Sequence, residues 1–507
     1  MHVPASRVRA LNTAPLLRSR ARYVLYWMVA ARRPRFNFAL EQAVGHARAC
    51  DLPLLVFEPL RASYRWASAR LHTFALEGMA ANAAHFAKTS AHYYPYLEAR
   101  RGAGAGLLAA LAAHAACVVT DDYPCFFIPQ LIAAAGRQLP VAMEAVDGNG
   151  LLPLSLAEGK TFYNAYIFRR FLQRHVGREL AQGPREDPLR NARLAALGAL
   201  PDAIEQRWPR VSASELADVA GSVSRLPISR AVPRVASIVG GHREARRALD
   251  TFIATRLSRY AQRNHPDAQS ASGLSPYLHW GHLGVHEAVA ALREPEQWDG
   301  LPRGIARDGK RTGFWGLSSP AEAFLEELVT FRELGFNTAA TLPDFDRYES
   351  LPRWARTSLG AHAGDPREHT YTLRQFEQAE THDPVWNAAQ TQLRHEGRIH
   401  NYLRMVWGKQ ILAYSKSPES ALETMVELNN KYALDGRDPN SYAGIFWILG
   451  RYDRPWAPER PVFGMVRYMS SVATQRKLRI KQYLLQHEEL ASHYRQRTAS
   501  KKVSIPE

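Results

Sequence analysis

Between Arg22 and Ala145 short apolar runs alternate with longer amphipathic stretches, a pattern that admits little besides a parallel sheet with helices packed on it. RYVLYWMVA (Arg22–Ala30) reads as a buried strand and Phe36–Cys50 as an amphipathic helix. LPLLVFE (Leu52–Glu58) reads as a second strand, with helical sequence after it to about Lys88. A helix begins near Gly104, Cys117–Thr120 is a further strand, a helix starts from Pro124, and PVAMEA (Pro140–Ala145) is one more strand. The glycine run GAGAGLL invites a dinucleotide-loop reading, with Asp121 and Asp122 downstream. Its spacing departs from the fingerprint and no clear strand runs directly into it, so a plain turn before a helix is preferred.

The rest of the chain changes character. Lys160 to about Arg178 is a basic helix, and 179–243, rich in proline, arginine and alanine, reads as an interdomain linker. From Glu244 to about Tyr494 almost every segment has helical periodicity. The expected class is therefore α/β + all-α, with an α/β domain over 21–178 and a helical domain over 244–494. Residues 1–20 read as a basic, flexible lead-in, preferred over a transit peptide, and 495–507 as a frayed tail. A length of 507 residues suits two or three domains, and 46% apolar residues with eleven tryptophans can fill their cores.

Composition also narrows the partners. The net charge of +17 favours a polyanion, nucleic acid first and a membrane surface second. No run of eighteen apolar residues suggests a membrane span. The three cysteines match no metal spacing and argue for a reducing compartment.

Functional residue types are densest from Gly397 to Trp456. GRIHNYLRMVWGKQILAY reads as a helix, because Ile399, Leu403, Val406 and Gln410 recur at helical steps. Trp407 and Tyr414 lie two turns apart on one face, roughly 10 Å along the axis, a spacing that suits electron transfer between rings. The DGRDPN turn (Asp435 to Asn440) places two carboxylates around a guanidinium, with a glycine that lets backbone approach a ligand. Further upstream, SGLSPYLHWGHLG opens a helix with Ser272 or Ser275 as cap and Pro276 in the first turn. Free N–H groups there suit a pyrophosphate, although on the segment alone an ordinary helix start is preferred.

Five motifs in order carry a resemblance. They are SASGLSPYLHWGHLG (Ser270–Gly284), AEAFLEELVTFREL (Ala321–Leu334), YTLRQFEQAETHDPVWNAAQ (Tyr371–Gln390), the Gly397 helix with DGRDPN, and DRPWAPERPVFGMVRYM (Asp453–Met469). Together they resemble the photolyase/cryptochrome family, most closely the class II cyclobutane pyrimidine dimer photolyases. The resemblance implies a Rossmann-like N-terminal α/β antenna domain followed by a helical FAD-binding domain. It assigns cofactor contacts to Tyr260, Ser272, Gly273, Leu274, Ser275, Asp435, Gly436 and Arg437, and pairs Arg404 with an acid, Asp435 being the candidate. Asn429 matches the asparagine facing the flavin N5. Trp386 and Trp407 match the inner members of a photoreduction chain. Glu327 matches the carboxylate that hydrogen-bonds the dimer, Met405 the thioether packed on the cyclobutane and Trp447 the ring stacked on the flipped lesion. Asn401 stands where class II has glycine, while Arg454, Trp456 and Arg467 match residues around the hole left by the lesion.

The implied activity is light-driven dimer splitting by reduced FAD, a carbon–carbon lyase reaction on DNA carried out by a monomer without a metal. A deazaflavin or folate antenna is left open. The implied setting is the cytoplasm, with the protein on the nucleoid through DNA. Three departures stand out. Tyr414 replaces the outer tryptophan, Phe331 replaces an arginine or tryptophan, and Phe336 replaces an aspartate whose loss could loosen an ion pair near the flavin. They keep open the alternative of a cryptochrome-like light sensor without repair activity.

Overall fold

The computed structural model describes residues 3–17 and 20–503, with backbone alone from residue 493 onward. Six strands form one sheet: β1 (Val8–Ala10), β2 (Tyr23–Trp27), β3 (Leu54–Leu60), β4 (His92–Leu97), β5 (Ala115–Asp121) and β6 (Ala142–Val146). Their spatial order is β1-β6-β5-β2-β3-β4. All neighbours are parallel except β1, which runs antiparallel to β6. Every residue of β2 and β5 is buried, because helices cover both faces of the sheet, and this is why the central strands read as continuous apolar runs. The first covering helix, Phe38–Cys50, is capped by Asn37, whose side chain accepts from the Leu40 N–H, and it ends at Asp51 in the left-handed region.

Strand order reverses between β2 and β5, where doubly wound sheets open a crevice for ligands. Here the Asp121 carboxylate fills that position. It accepts from the N–H groups of Val29 (2.9 Å), Ala30 (2.7 Å) and Ala31 (3.0 Å), and from the Tyr26 hydroxyl (2.8 Å).

The sheet corrects three expectations. β4 (HYYPYL) went unread because Pro95 interrupts its strand signal; it lies at the sheet edge, where a missing N–H is tolerated. The segment expected to be a loose lead-in instead supplies β1, with Val8 opposite Val146 and Ala10 opposite Glu144. Arg7 anchors it from a buried site, donating to the carbonyls of Asp147 (3.2 Å), Gly150 (3.2 Å) and Leu151 (2.5 Å). The expected frayed tail begins inside a helix, Lys481–Val503, while residues 504–507 lie outside the described residues.

The linker region is wound into short helices at Asp202–Arg207, Ala213–Ala217 and Val219–Ser224. Its buried Trp208 donates to the Ala103 carbonyl at 2.9 Å and lies over Gly106, where a Cβ would sit 3.4 Å from the indole. Trp208 thus packs on one side of the GAGAG turn, while Gly102, Ala105 and Gly106 remain exposed.

The helical half holds two cores. One contains Phe252, Leu274, Phe324 and Leu325, and the other Trp386, Leu403, Trp407, Ile411 and Phe446. Two buried side chains fasten it to the rest of the chain. Arg70 donates to the carbonyls of Pro233 (3.0 Å), Leu393 (3.2 Å) and Tyr432 (2.7 Å). Glu333 accepts from the N–H groups of Leu151 (2.6 Å) and Leu152 (3.1 Å).

Burial pushes the Glu333 carboxyl up to about 7. A carboxyl raised by folding holds its proton more tightly in the folded protein. Its stabilising contribution is complete below the unfolded value near 4.5 and is lost as the pH rises through about 7. Glu333→Gln should therefore gain stability relative to wild type between about pH 5 and pH 8, by at most about 3 kcal/mol in urea unfolding. Parallel stability curves for the two proteins would contradict this.

Candidate functional site

Three helices, Asn401–Tyr414, Pro418–Tyr432 and Pro439–Ile448, bring the DGRDPN turn against Arg404. Ser417 opens the second helix with a capping box completed by Ser420, and Pro418 takes the first turn. Asp438 opens the third, accepting from the Asn440 N–H at 2.8 Å. Arg404 meets both Asp435 oxygens at 3.1 and 3.2 Å and donates to Asn429 Oδ1 at 3.0 Å. The expected Arg404–Asp435 pair is present, and only about an eighth of each side chain is exposed. The Asn429 amide nitrogen donates to Ser441 (2.7 Å) and to Asn430 Oδ1 (3.2 Å).

The geometry corrects the reading of this turn in two ways. Its two carboxylates do not flank Arg437. That guanidinium donates to the Asn430 carbonyl (2.6 Å) and reaches His279 (3.5 Å), whereas Asp438 receives the Tyr123 hydroxyl (3.0 Å) and faces His279 Nδ1 (3.2 Å). Burial lowers the pKa of His279, which favours its neutral form. Nor does Gly436 leave space for a ligand. A Cβ there would lie 2.7 Å from the Asn429 carbonyl oxygen and 3.0 Å from the Asn430 Cα, so glycine is needed for the turn to close on its own chain.

A second cluster surrounds the loop before the Ser275–His279 helix. The helix is only five residues long, and its cap position is Leu274, which is buried, with no side-chain cap bond. Neither Ser272 nor Ser275 caps it. Gly273 adopts φ +72° with the Arg398 guanidinium nearby, and Arg256 donates to the carbonyls of Ala271 (3.0 Å) and Ser272 (3.4 Å). The buried Arg256 Nε and Ser270 Oγ have no protein partner here. Tyr260 is buried between the Phe252 ring (5.5 Å) and the Phe324 ring (5.6 Å).

Glu327 belongs to a π-helical turn, Glu326–Phe331, that interrupts the helix, and its side chain is about a quarter exposed; such single turns recur at functional sites. Glu327 is held by Arg263 at 3.0 and 3.3 Å, and the same guanidinium lies 5.0 Å from the Tyr260 ring centre. Burial raises the Glu327 carboxyl pKa and Arg263 opposes that. At the end of the same turn Phe331 packs edge-on against Trp447 (5.5 Å), which also meets Tyr452 (5.4 Å). Met405 is half-buried and Asn401 exposed, one turn apart. Arg454 and Arg467 both approach Trp456, at 4.8 and 5.2 Å, and leave a partly exposed indole beside two cations.

Trp386 and Trp407 are fully buried together. The Trp386 indole donates to the Trp407 carbonyl (2.9 Å), and the Trp407 indole to Gln390 (3.0 Å). Phe336 is buried between the Tyr123 ring (5.7 Å) and the Arg332 guanidinium (4.1 Å), so the lost aspartate is replaced by a cation–π contact. The sequence reading missed Arg256, Arg263, Arg398 and Tyr452. It also missed Lys409, which donates to the Ile448 carbonyl at 2.5 Å and is lowered by burial to about 7. Arg398 and Lys409 lie within the Gly397 motif, where their spacing could have singled them out, whereas Arg256 and Arg263 give no local signal.

Comparison with known proteins follows this geometry. No family model matches the chain. The chain is 32% identical to a deoxyribodipyrimidine photo-lyase of Methanothermobacter thermautotrophicus, over 95% of this chain and 98% of the relative. It is 33% identical to the enzyme of that name from Oryza sativa subsp. japonica, over 94% and 89%. A bacterial class III photolyase from Agrobacterium tumefaciens shares the fold, with a TM-score of 0.67, 18% identity and coverage of 92% and 86%. Among the described residues no helix is long and apolar enough to cross a membrane, and no cluster of His, Cys, Asp and Glu could hold a metal ion.

Gly436→Ala should force the Asn429–Asp435 segment apart and cost about 1–3 kcal/mol in denaturant unfolding. Unchanged stability would show that the turn has slack.

Proposed function

Because the chain belongs to the photolyase family, we propose that it is a light-driven lyase that splits cyclobutane pyrimidine dimers flipped out of DNA, with reduced FAD as cofactor. The observation that carries this reading is Glu327, partly exposed on a π-turn and paired with Arg263, with Phe331 of the same turn packed on Trp447 and Tyr452 beyond it. A light sensor has no use for a carboxylate so placed.

The residues fit FAD. Arg256 and Arg398 flank the Ser272–Ser275 loop with an unpartnered guanidinium N–H and an unpartnered Ser270 hydroxyl, a donor set for a pyrophosphate. The Arg404–Asp435 pair, fixed by Asn429, supplies an oriented field for the pyrimidine edge of the ring system. Arg437 and Asp438, locked through Asn430, Tyr123 and His279, stiffen the turn that carries it. Reduced FAD, excited by light, supplies the electron that opens the cyclobutane ring.

The other residues act on the DNA. Arg454, Trp456 and Arg467 form an aromatic–cationic surface that stands in for the displaced dimer and meets phosphates. Trp447, buttressed by Phe331 and Tyr452, stacks on the lesion, and Met405 packs on its ring. Glu327 hydrogen-bonds the base edge while Arg263 keeps its rotamer, and the proton it shares steadies charge on the opened dimer. No side chain has to be consumed or regenerated. The closer likeness to class II enzymes rests on the five motifs; the enzyme acts as a monomer in the cytoplasm, and a folate or deazaflavin antenna would add to light capture only.

The test is an oligonucleotide with one thymine dimer, mixed with chemically reduced, FAD-loaded protein and illuminated in the near-UV. Dimer loss should occur only in the light. Glu327→Ala should slow it about ten- to a hundredfold, the worth of one hydrogen bond to a charged group. Absence of repair by protein that holds reduced FAD would sink the lyase reading in favour of sensing. Arg467→Ala should weaken binding and reduce the slope of log affinity against log salt by about 1; an unchanged slope would remove Arg467 from the phosphate contacts.

A further inference from the structure

Tyr414 ends the Asn401–Tyr414 helix two turns beyond Trp407, and its side chain reaches a carboxylate rather than open water. The phenol donates to Asp383 Oδ2 at 3.3 Å. Oδ1 of that carboxylate accepts from the N–H groups of Val385 (3.0 Å) and Trp386 (3.1 Å), so one group joins the Tyr414 hydroxyl to the Trp386 backbone. The Ser471 hydroxyl also donates to Oδ2 and itself receives the Gln410 amide (3.3 Å). Capping the Pro384–Glu396 helix accounts for Oδ1 alone. It does not explain why two hydroxyls converge on Oδ2 at a residue that is 4% exposed.

We propose that Tyr414 and Asp383 form a proton-coupled electron donor that ends the tryptophan chain. With oxidised flavin bound and excited by light, the buried tryptophans would be the residues that supply it with an electron. Tyr414 then gives one electron to the resulting tryptophan radical cation, which returns to neutral tryptophan. The phenolic O–H bond breaks in the same step and its proton passes to Asp383 Oδ2. The products are a neutral tyrosyl radical and a neutral carboxylic acid, so charge and atoms balance. Tyr414 is half-buried, and an external thiol can later reduce the radical and restore the hydrogen.

The surroundings agree. Burial, and then Asp383, raise the phenol pKa, so no phenolate stands ready and electron loss must carry the proton with it. The titratable groups facing the phenol are Asp383, Tyr371 (ring centres 5.8 Å apart), His382 (5.0 Å) and Tyr468. His382 Nδ1 is engaged by the Tyr371 hydroxyl at 2.8 Å, which leaves Asp383 as the hydrogen-bonded acceptor.

This inference rests on the flavin reading above, and its test separates the two. Protein loaded with oxidised FAD is flashed with blue light and followed by time-resolved absorption, in water and in heavy water. Wild type should show the narrow band of a neutral tyrosyl radical, formed more slowly in heavy water. Asp383→Asn keeps an equally good helix cap and should slow tyrosyl formation at least about tenfold while the broad tryptophan radical band persists. Tyr414→Trp should restore a long-lived radical whose formation has lost the heavy-water effect. No tyrosyl band in wild type, or an unchanged rate in Asp383→Asn, overturns the assignment. Dimer repair by chemically reduced protein from the same preparation, with no tyrosyl band, sinks this donor alone; a tyrosyl band without repair supports the donor and sinks the lyase reading.

Discussion

The bond between Arg404 and Asp435 is the interaction on which the helical half depends. It spans the Asn401–Tyr414 helix and the turn after Tyr432, and Asn429 accepts a second arm of the same guanidinium. An ion pair so largely withdrawn from water gains little net stability, because desolvation offsets most of the attraction. Its value lies in position. With both partners fixed, the turn can close only if Gly436 carries no Cβ, and Asp438 then starts the next helix in one register. That register sets Trp447 opposite Phe331, and hence opposite the π-turn that carries Glu327.

Two groups of side chains are built on this frame. Glu327 pairs with Arg263, Trp447 packs on Phe331 at the end of the same π-turn, and Arg454 and Arg467 flank Trp456. Trp386 and Trp407 are sealed from water, and the Trp386 indole donates to the Trp407 carbonyl. Burial of the tryptophans protects them from solvent and side reactions, and Asp383 links the Trp386 backbone to the Tyr414 hydroxyl.

Much of the frame was legible in the residues. β2, β3, β5 and β6 announced themselves because buried parallel strands are apolar on both faces. The Arg404–Asp435 pair was expected through the family resemblance, since 31 residues separate the partners and no local spacing joins them. What stayed hidden had no local signal. β1 is arginine-bearing and becomes a strand only because β6 offers an edge, and β4 contains a proline that only an edge position tolerates. The glycine in DGRDPN suggested ligand approach, but the space a Cβ would take is filled by the end of the preceding helix, six and seven residues back, which shows only once the turn is closed. Arg263 and Arg256 could be placed only once Glu327 and the Ser272 loop were in three dimensions. Phe336 looked like a lost charge, yet Arg332 stacks on its ring and Tyr123 still reaches Asp438.

The most direct measurement is a crystal structure of the FAD-loaded protein with a duplex carrying one thymine dimer. The account expects the dimer out of the helix, with Glu327 in hydrogen-bond contact with a base edge, Trp447 stacked on the lesion and Trp456 at the vacated step. A dimer left in the duplex, or flipped against a different wall with Glu327 still closed on Arg263, would contradict it.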